Sequence, residues 1–177
     1  MKFVPEEFQI PFYKISCCNW IHKKNKLRVL IENNINSFTN NDLISKVNTT
    51  FLNGNFKNEI CEITSDEIKT FEQISNLQVE SKEAWFQVYN YMENHGAHNH
   101  GLGYSCVLFI NFVKGVHQPT HFLTPFVDCT HAANNIYIPD VDEGDFLFFP
   151  STITHYVPSN RSQTSRIIAS INFLIKS

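Results

Sequence analysis

Apolar positions recur with a helical period over much of the first half of the chain. In residues 26–35, Leu27, Leu30 and Ile31 fall on one face, which predicts an amphipathic helix. A second helix is predicted where Thr64 precedes two acidic residues and an apolar face, because Ser or Thr caps a helix start and acidic side chains favour its first turn. The first half is therefore expected to be mainly helical.

The pattern changes to short strands in the second half. Runs rich in aromatic and β-branched residues, separated by glycine and proline, predict strands at residues 84–92, 104–112, 122–126, 135–138, 145–149 and 166–175. Short strands with no helix between them favour an antiparallel sandwich or barrel. We therefore expect a mainly β (α+β) fold, with a helical support region at 1–83 packed outside a β core at 84–177.

Composition narrows the class of protein. The 177 residues suit one domain, and 42% hydrophobic residues suffice for a core. A net charge of −3 argues against nucleic acid as a partner. The pattern of apolar residues leads us to expect neither a membrane span nor a signal peptide. Five cysteines without a CxxC pair suit a reduced compartment, so a cytoplasmic location is expected, in the host if the chain is viral. The basic cluster at 22–26 is interpreted as the solvated start of a helix.

Candidate chemistry is concentrated in residues 95–101, HGAHNHG. In extended backbone, residues two apart point the same way, so His98 and His100 can form a two-pronged metal ligand. The best third ligand is His155, which is predicted to begin a strand after Pro150. Arg166 follows at the head of the last strand, where a charge within an apolar run needs a partner. The alternative is that these side chains are ordinary loop, core and surface residues.

The ordered set of motifs resembles the double-stranded β-helix of iron(II)/2-oxoglutarate oxygenases. It is most similar to a small group of bacterial and marine-phage proteins assigned to that class. The resemblance covers residues 84–175 and is carried by the following positions: Trp85, His98-Asn99-His100, Gly103-Tyr104-Ser105, Glu143-Gly144-Asp145, Phe149-Pro150, His155, Arg166, Ser170 and Asn172.

The resemblance implies a cofactor and roles for the site residues. His98 and His155 would hold Fe(II), and Arg166 would bind the far carboxylate of the co-substrate 2-oxoglutarate. We expect His100 to be the third metal ligand. Molecular oxygen would use the position that a facial triad leaves open. Tyr104 would either donate its hydroxyl to the co-substrate or belong to the core. The implied activity is that of a hydroxylase acting on a protein side chain, such as a prolyl group, or on a small metabolite.

One position departs from the family pattern, because His100 stands where a carboxylate is usual. Either three histidines hold the iron, or His100 lies behind a water or halide ligand, or Asp128 or Asp145 supplies the acid. Asp145 fits better in the turn before a strand.

Two other functions remain open from the sequence. One is a three-histidine cupin enzyme without 2-oxoglutarate, and the other is a non-catalytic, phage or virion-associated binding module. His95 is expected behind the metal ligands or facing solvent, and His117, His121 and His131 are expected at the surface. A homodimer is also compatible with the sequence.

Overall fold

The elements are those of a computed structural model, which describes residues 10–41, 45–54, 56–128 and 133–176. The helices are α1 (Trp20–Asn33), α2 (Lys57–Ile63) and α3 (Ser65–Ser75), with a 3₁₀ turn at Ile35–Ser37. The strands are β1 (Tyr13–Ser16), β2 (Thr39–Asn41), β3 (Ser45–Thr49), β4 (Val79–Tyr89), β5 (Asn94–His98), β6 (Tyr104–Asn111), β7 (His121–Asp128), β8 (Ala133–Tyr137), β9 (Asp145–Pro150), β10 (His155–Val157) and β11 (Arg166–Ile175). None of the described helices is long and apolar enough to cross a membrane.

The strands form one curled antiparallel sheet with two halves. The larger half has the order β1-β9-β6-β11-β4, and the smaller half has the order β5-β10-β7-β8. Strand β3 pairs with both β4 and β5 and so joins the halves, while β2 pairs with β3. This is the double-stranded β-helix that the resemblance to the oxygenases implies.

Two hydrophobic cores lie on opposite faces of the larger half, because alternate residues of a strand point to opposite sides. In β11, Ala169, Ile171 and Phe173 face the helices, and Ile168 faces the inside of the barrel. The inner core also contains residues from β7, β9 and β10, so it is enclosed by both halves of the sheet. The barrel interior is therefore a closed apolar space in which each polar side chain needs a partner.

The N-terminal half is less helical than the sequence suggests. Strands β1 and β3 belong to the sheet, and β4 begins at Val79 and ends before the turn at Met92, so the predicted division at residue 83 does not follow the sheet. Strand β3 was missed because Val47 is its one large apolar residue. Helix α3 begins where predicted, but the Thr64 hydroxyl binds the Ile60 carbonyl of α2 and does not cap α3.

The basic cluster at the start of α1 is not uniformly solvated, which corrects the expectation from sequence. Lys23 is only 8% exposed, and its Nζ lies 2.9 Å from the carboxylate of Glu67 in α3. Asp66 contributes a second, more exposed partner at 3.0 Å. The pair fixes α1 against α3 on the outer face of the sheet.

Removing the charge of Glu67 leaves the Lys23 ammonium buried with a weaker partner. We expect Glu67→Gln to lower the free energy of unfolding by about 3 kcal/mol, since breaking a buried pair leaves a charge uncompensated. Glu32→Gln is the matched control, because Glu32 pairs with Arg28 on the exposed face of α1. That control should lose less than about 0.5 kcal/mol. Urea unfolding midpoints measure both, and equal losses would contradict the structural importance of the buried pair.

Candidate metal centre

Three histidines converge at one mouth of the barrel. His98 ends β5, His155 begins β10, and His100 lies in the loop that follows β5. The register of β5 and β10 places His98 directly opposite His155. One nitrogen from each of the three rings lies within 4.8 Å of the others. The structure therefore brings together the three histidines that the sequence proposes as ligands.

Backbone carbonyl groups set the tautomers of two of these histidines. His98 Nδ1 lies 2.8 Å from the Gly96 carbonyl oxygen, and His155 Nδ1 lies 3.0 Å from that of Ile153. Since a carbonyl can only accept, Nδ1 carries the proton in both rings and Nε2 keeps its lone pair. A histidine held in this way is oriented for metal binding before a metal arrives.

Two backbone hydrogen bonds attach the loop of His100 to the loop that precedes His155. The His100 amide donates to the Ser151 carbonyl, and the Ser151 amide donates to the Gly103 carbonyl, each at 2.9 Å. Gly103 has a φ of +101°, and a Cβ there would lie 2.0 Å from the Phe173 carbonyl oxygen. Glycine is thus required where this loop passes β11.

All three imidazoles are neutral at neutral pH. Burial lowers the pKa of His155 to about 3 and that of His100 to about 4, and it also lowers the pKa of His98. Phe149 and Phe122 enclose His155, with ring centroids 5.0 and 5.7 Å away. The neutral ring is the form that binds a metal, so the site needs no deprotonation before binding.

No carboxylate joins the histidine cluster among the described residues. Asp145 accepts hydrogen bonds from the Ser16 hydroxyl and from the Asp142 amide, so it belongs to the turn before β9. The side chain of Asp128 and the whole of His131 lie outside the described residues.

Arg166 is the most unusual side chain of the barrel interior. It is 1% exposed, and within the described residues its side chain makes one hydrogen bond, from NH2 to Thr120 Oγ1 at 3.2 Å. Among the described residues its Nε and NH1 groups have no partner, and neither has the hydroxyl of Tyr89, whose ring centroid lies 5.0 Å from the guanidinium carbon. Burial lowers the pKa of Arg166 to about 10, which still leaves it charged at neutral pH.

A cavity lined by the three histidines extends along β4 to Tyr89 and Thr120, which both contact Arg166. Along its wall, β4 directs Trp85, Gln87 and Tyr89 inward at alternate positions. The ring centroids of Trp85 and His100 are 5.7 Å apart, and the ring of Tyr89 lies beside the guanidinium of Arg166. The three histidines and two residues that contact Arg166 therefore border the same cavity.

The structure does not support the roles expected from the sequence for Tyr104, His117 and His121. Tyr104 packs against Phe71 and Tyr13 on the helix side of the sheet, so the co-substrate contact proposed for its hydroxyl has no support in the geometry. His117 and His121 are buried, not exposed. His117 binds Thr164, whereas Nε2 of His121 is buried without a partner in the described part of the chain.

The sequence did not predict that Thr120 and Tyr89 contact Arg166. Tyr89 could have been found, because it lies on the same face of β4 as Trp85 and Gln87. Nothing near Thr120 in the sequence indicates that it meets Arg166, which lies 46 residues further along the chain.

A family model described as 2OG-Fe(II) oxygenase matches residues 83–172, just over half of the chain. This protein belongs to the 2OG-Fe(II) oxygenase family. It is therefore a 2-oxoglutarate-dependent oxygenase that uses Fe(II), 2-oxoglutarate and molecular oxygen. The residues present fit these groups, since neutral imidazoles can hold the iron and the unpaired Arg166 can hold a carboxylate. The cupin enzyme without 2-oxoglutarate and the binding module are not favoured.

Solved structures of hydroxylases have the same fold. A prolyl-4-hydroxylase from Pseudomonas putida matches with a TM-score of 0.66 at 12% identity, covering 95% of this chain and 94% of that chain. A prolyl hydroxylase from Trichoplax adhaerens, in complex with a peptide fragment of the hypoxia inducible factor oxygen degradation domain, matches with a TM-score of 0.64 at 13% identity. The match covers 92% of this chain and 83% of that chain. A viral collagen prolyl hydroxylase from Paramecium Bursaria Chlorella virus-1, in complex with 2OG, matches with a TM-score of 0.57 at 12% identity. The match covers 92% of this chain and 94% of that chain. No curated protein sequence matches the chain.

Alanine substitutions test the three histidines as metal ligands. We expect His98→Ala, His100→Ala and His155→Ala each to weaken Fe(II) binding by at least about 100-fold, because each removes one of three nitrogen donors. Anaerobic calorimetry measures the affinity, and His22→Ala, on the exposed side of α1, is the control. Wild-type affinity in His100→Ala would show that His100 is not a ligand.

Proposed function

We propose that this protein is a hydroxylase in which His98, His100 and His155 hold Fe(II) and Arg166 holds the far carboxylate of 2-oxoglutarate. When bound, iron, keto acid and dioxygen supply the chemistry that inserts one oxygen atom into a C–H bond and converts the co-substrate to succinate and CO₂. The protein binds and orients these groups and excludes water from them.

The buried state of Arg166 is the observation that carries the proposal. A guanidinium removed from water without an anion is costly, and here two of its N–H groups have no partner in the described residues. A carboxylate accepts two parallel hydrogen bonds from such a fork. Thr120 and Tyr89 offer further hydroxyl groups at the same end of the cavity. A dicarboxylic co-substrate can therefore neutralise Arg166 with one end and reach the metal ligands with the other.

Three histidine ligands change the charge of the proposed site. A site with two histidines and one carboxylate reduces the charge of Fe(II) by one, whereas three neutral imidazoles leave it at two. The anionic keto acid is then the main source of negative charge at the iron. We expect the metal and 2-oxoglutarate to bind cooperatively for this reason.

We further infer that the substrate is a polypeptide side chain, with prolyl the first candidate. Exposed apolar residues lie near His100, either against Trp85 or close to it in the sequence. Phe51 packs on Trp85 at 4.9 Å, Leu52 follows it, and Leu102 lies two residues after His100 with 84% of its surface exposed. An exposed apolar rim is typical of a surface that binds a partner. The solved prolyl hydroxylases of the same fold support the choice of substrate class.

Spectroscopy tests the co-substrate site. Anaerobic addition of Fe(II) and 2-oxoglutarate to the wild-type protein should give the weak visible charge-transfer band of a chelated keto acid. Arg166→Ala should weaken 2-oxoglutarate binding by at least about 100-fold, because it removes two charge-assisted hydrogen bonds, and should leave Fe(II) affinity unchanged. Arg161→Ala, at an exposed position, is the control. A wild-type protein that binds Fe(II) but shows no band would exclude the keto-acid mechanism.

The apolar rim is tested with proline-containing peptides and mass spectrometry. Wild-type protein should add one oxygen atom to a subset of such peptides. Leu102→Asp should lower kcat/KM for these peptides by about tenfold, since a charge replaces an apolar contact, without changing 2-oxoglutarate affinity. Ile21→Asp, a change at a similarly exposed position on α1, should have no effect. Equal loss in both variants would show that the rim does not contact the substrate.

A further inference from the structure

His95, the first histidine of the HGAHNHG segment, lies against the metal-binding group but is not part of it. Its ring stacks on His98 with a centroid distance of 4.1 Å and an angle of 17°. The three nitrogens that can share a metal come from His98, His100 and His155. His95 also lines the cavity, where it can contact a bound molecule without being a metal ligand.

A chain of hydrogen bonds determines which nitrogen of His95 carries the proton. The Ser170 hydroxyl donates to Gln87 Oε1 at 3.1 Å, which directs the amide nitrogen of Gln87 away from β11. That nitrogen lies 2.9 Å from His95 Nδ1. Because the amide nitrogen can only donate, Nδ1 must accept, and the proton of the neutral ring is on Nε2. His95 thus differs from His98 and His155, which carry their protons on Nδ1.

The inward-facing residues of β4 show where this N–H lies along the cavity. Trp85 is beside His100, Gln87 holds His95, and Tyr89 is beside Arg166. Alternate residues of a strand are about 6.6 Å apart, so Gln87 lies between Trp85 at the histidine end of the wall and Tyr89 at the Arg166 end. The His95 ring that Gln87 holds is stacked on His98, so a ligand bound at the proposed metal site would lie close to His95.

Within the described residues the side-chain hydrogen bond of His95 is made through Nδ1, which leaves its Nε2–H group available to a ligand in the cavity that the ring lines. Among the acceptors that such a ligand could offer, a carboxylate oxygen is the strongest. We propose that His95 donates a hydrogen bond from Nε2 to the metal-bound end of 2-oxoglutarate and so positions the co-substrate. This inference rests on the proposed function, because it presupposes a keto acid that extends from Arg166 to the three histidines.

Two substitutions of His95 separate the hydrogen bond from the packing of the ring. His95→Phe keeps an aromatic ring against His98 but removes the N–H. His95→Gln returns an N–H donor close to the position of Nε2. Ser170→Ala leaves His95 in place and releases the Gln87 amide, so that either tautomer becomes accessible. His22→Phe, on the exposed side of α1, is the control.

The measurements are anaerobic titrations of Fe(II) alone and then of 2-oxoglutarate, with the position of the charge-transfer band recorded. We expect His95→Phe to bind Fe(II) as the wild type does, to bind 2-oxoglutarate about tenfold more weakly and to shift the band. His95→Gln should restore most of the affinity and the band position. Ser170→Ala should weaken 2-oxoglutarate binding in the same direction by a smaller factor.

Each other outcome overturns the inference in a recognisable way. If the wild type binds 2-oxoglutarate and His95→Phe binds it equally well with an unchanged band, His95 does not contact the co-substrate. If His95→Phe loses Fe(II) binding, His95 acts on the metal site. If the wild type itself shows no band, the proposed function fails and this inference fails with it.

Discussion

The arrangement of the barrel interior depends on one buried cation. Arg166 lies at the closed end of an apolar space, with aromatic rings of Tyr89 and Phe109 beside it and one hydroxyl as its described hydrogen-bond partner. Lys23 shows the contrast, since it is similarly buried but is satisfied by Glu67. Within the described residues Lys23 has an acidic partner and Arg166 has none, and the cost of burying an unpaired charge is the reason that we propose an anionic ligand for Arg166.

The three histidines of the proposed metal site, in contrast, have their orientations fixed by the protein itself. The carbonyls of Gly96 and Ile153 select the tautomers of His98 and His155. Burial keeps the rings neutral, and the backbone bonds through Ser151 hold the loop of His100 against the loop of His155. A fixed set of nitrogen donors reduces the entropy lost when a metal binds, which is the advantage of such preorganisation.

Polar side chains of β4 and β11 lie between the three histidines and Arg166 in an otherwise apolar interior. Gln87 and Ser170 are buried and bound to each other, and through His95 they reach the proposed metal site. Isolated polar groups in such a place would destabilise the barrel, but a connected set is tolerated and directs one donor into the cavity. The proposed position of the keto acid follows from this line of contacts and from the unpaired Arg166.

The sequence alone determined the strand-rich second half, the resemblance to the oxygenases and the residues of the histidine group. These follow from local information, namely the period of the apolar positions, the spacing of His98 and His100, and the glycines and prolines between strands. Strand β3 was hidden because a five-residue strand with one large apolar side chain carries too little local pattern. Only the tertiary structure decided that Thr120 meets Arg166, that Tyr104 faces the helices and that Ser170 reaches His95 through Gln87. Such contacts depend on how the sheet curls and which face each strand presents, and the pairing that fixes both joins residues far apart in the chain.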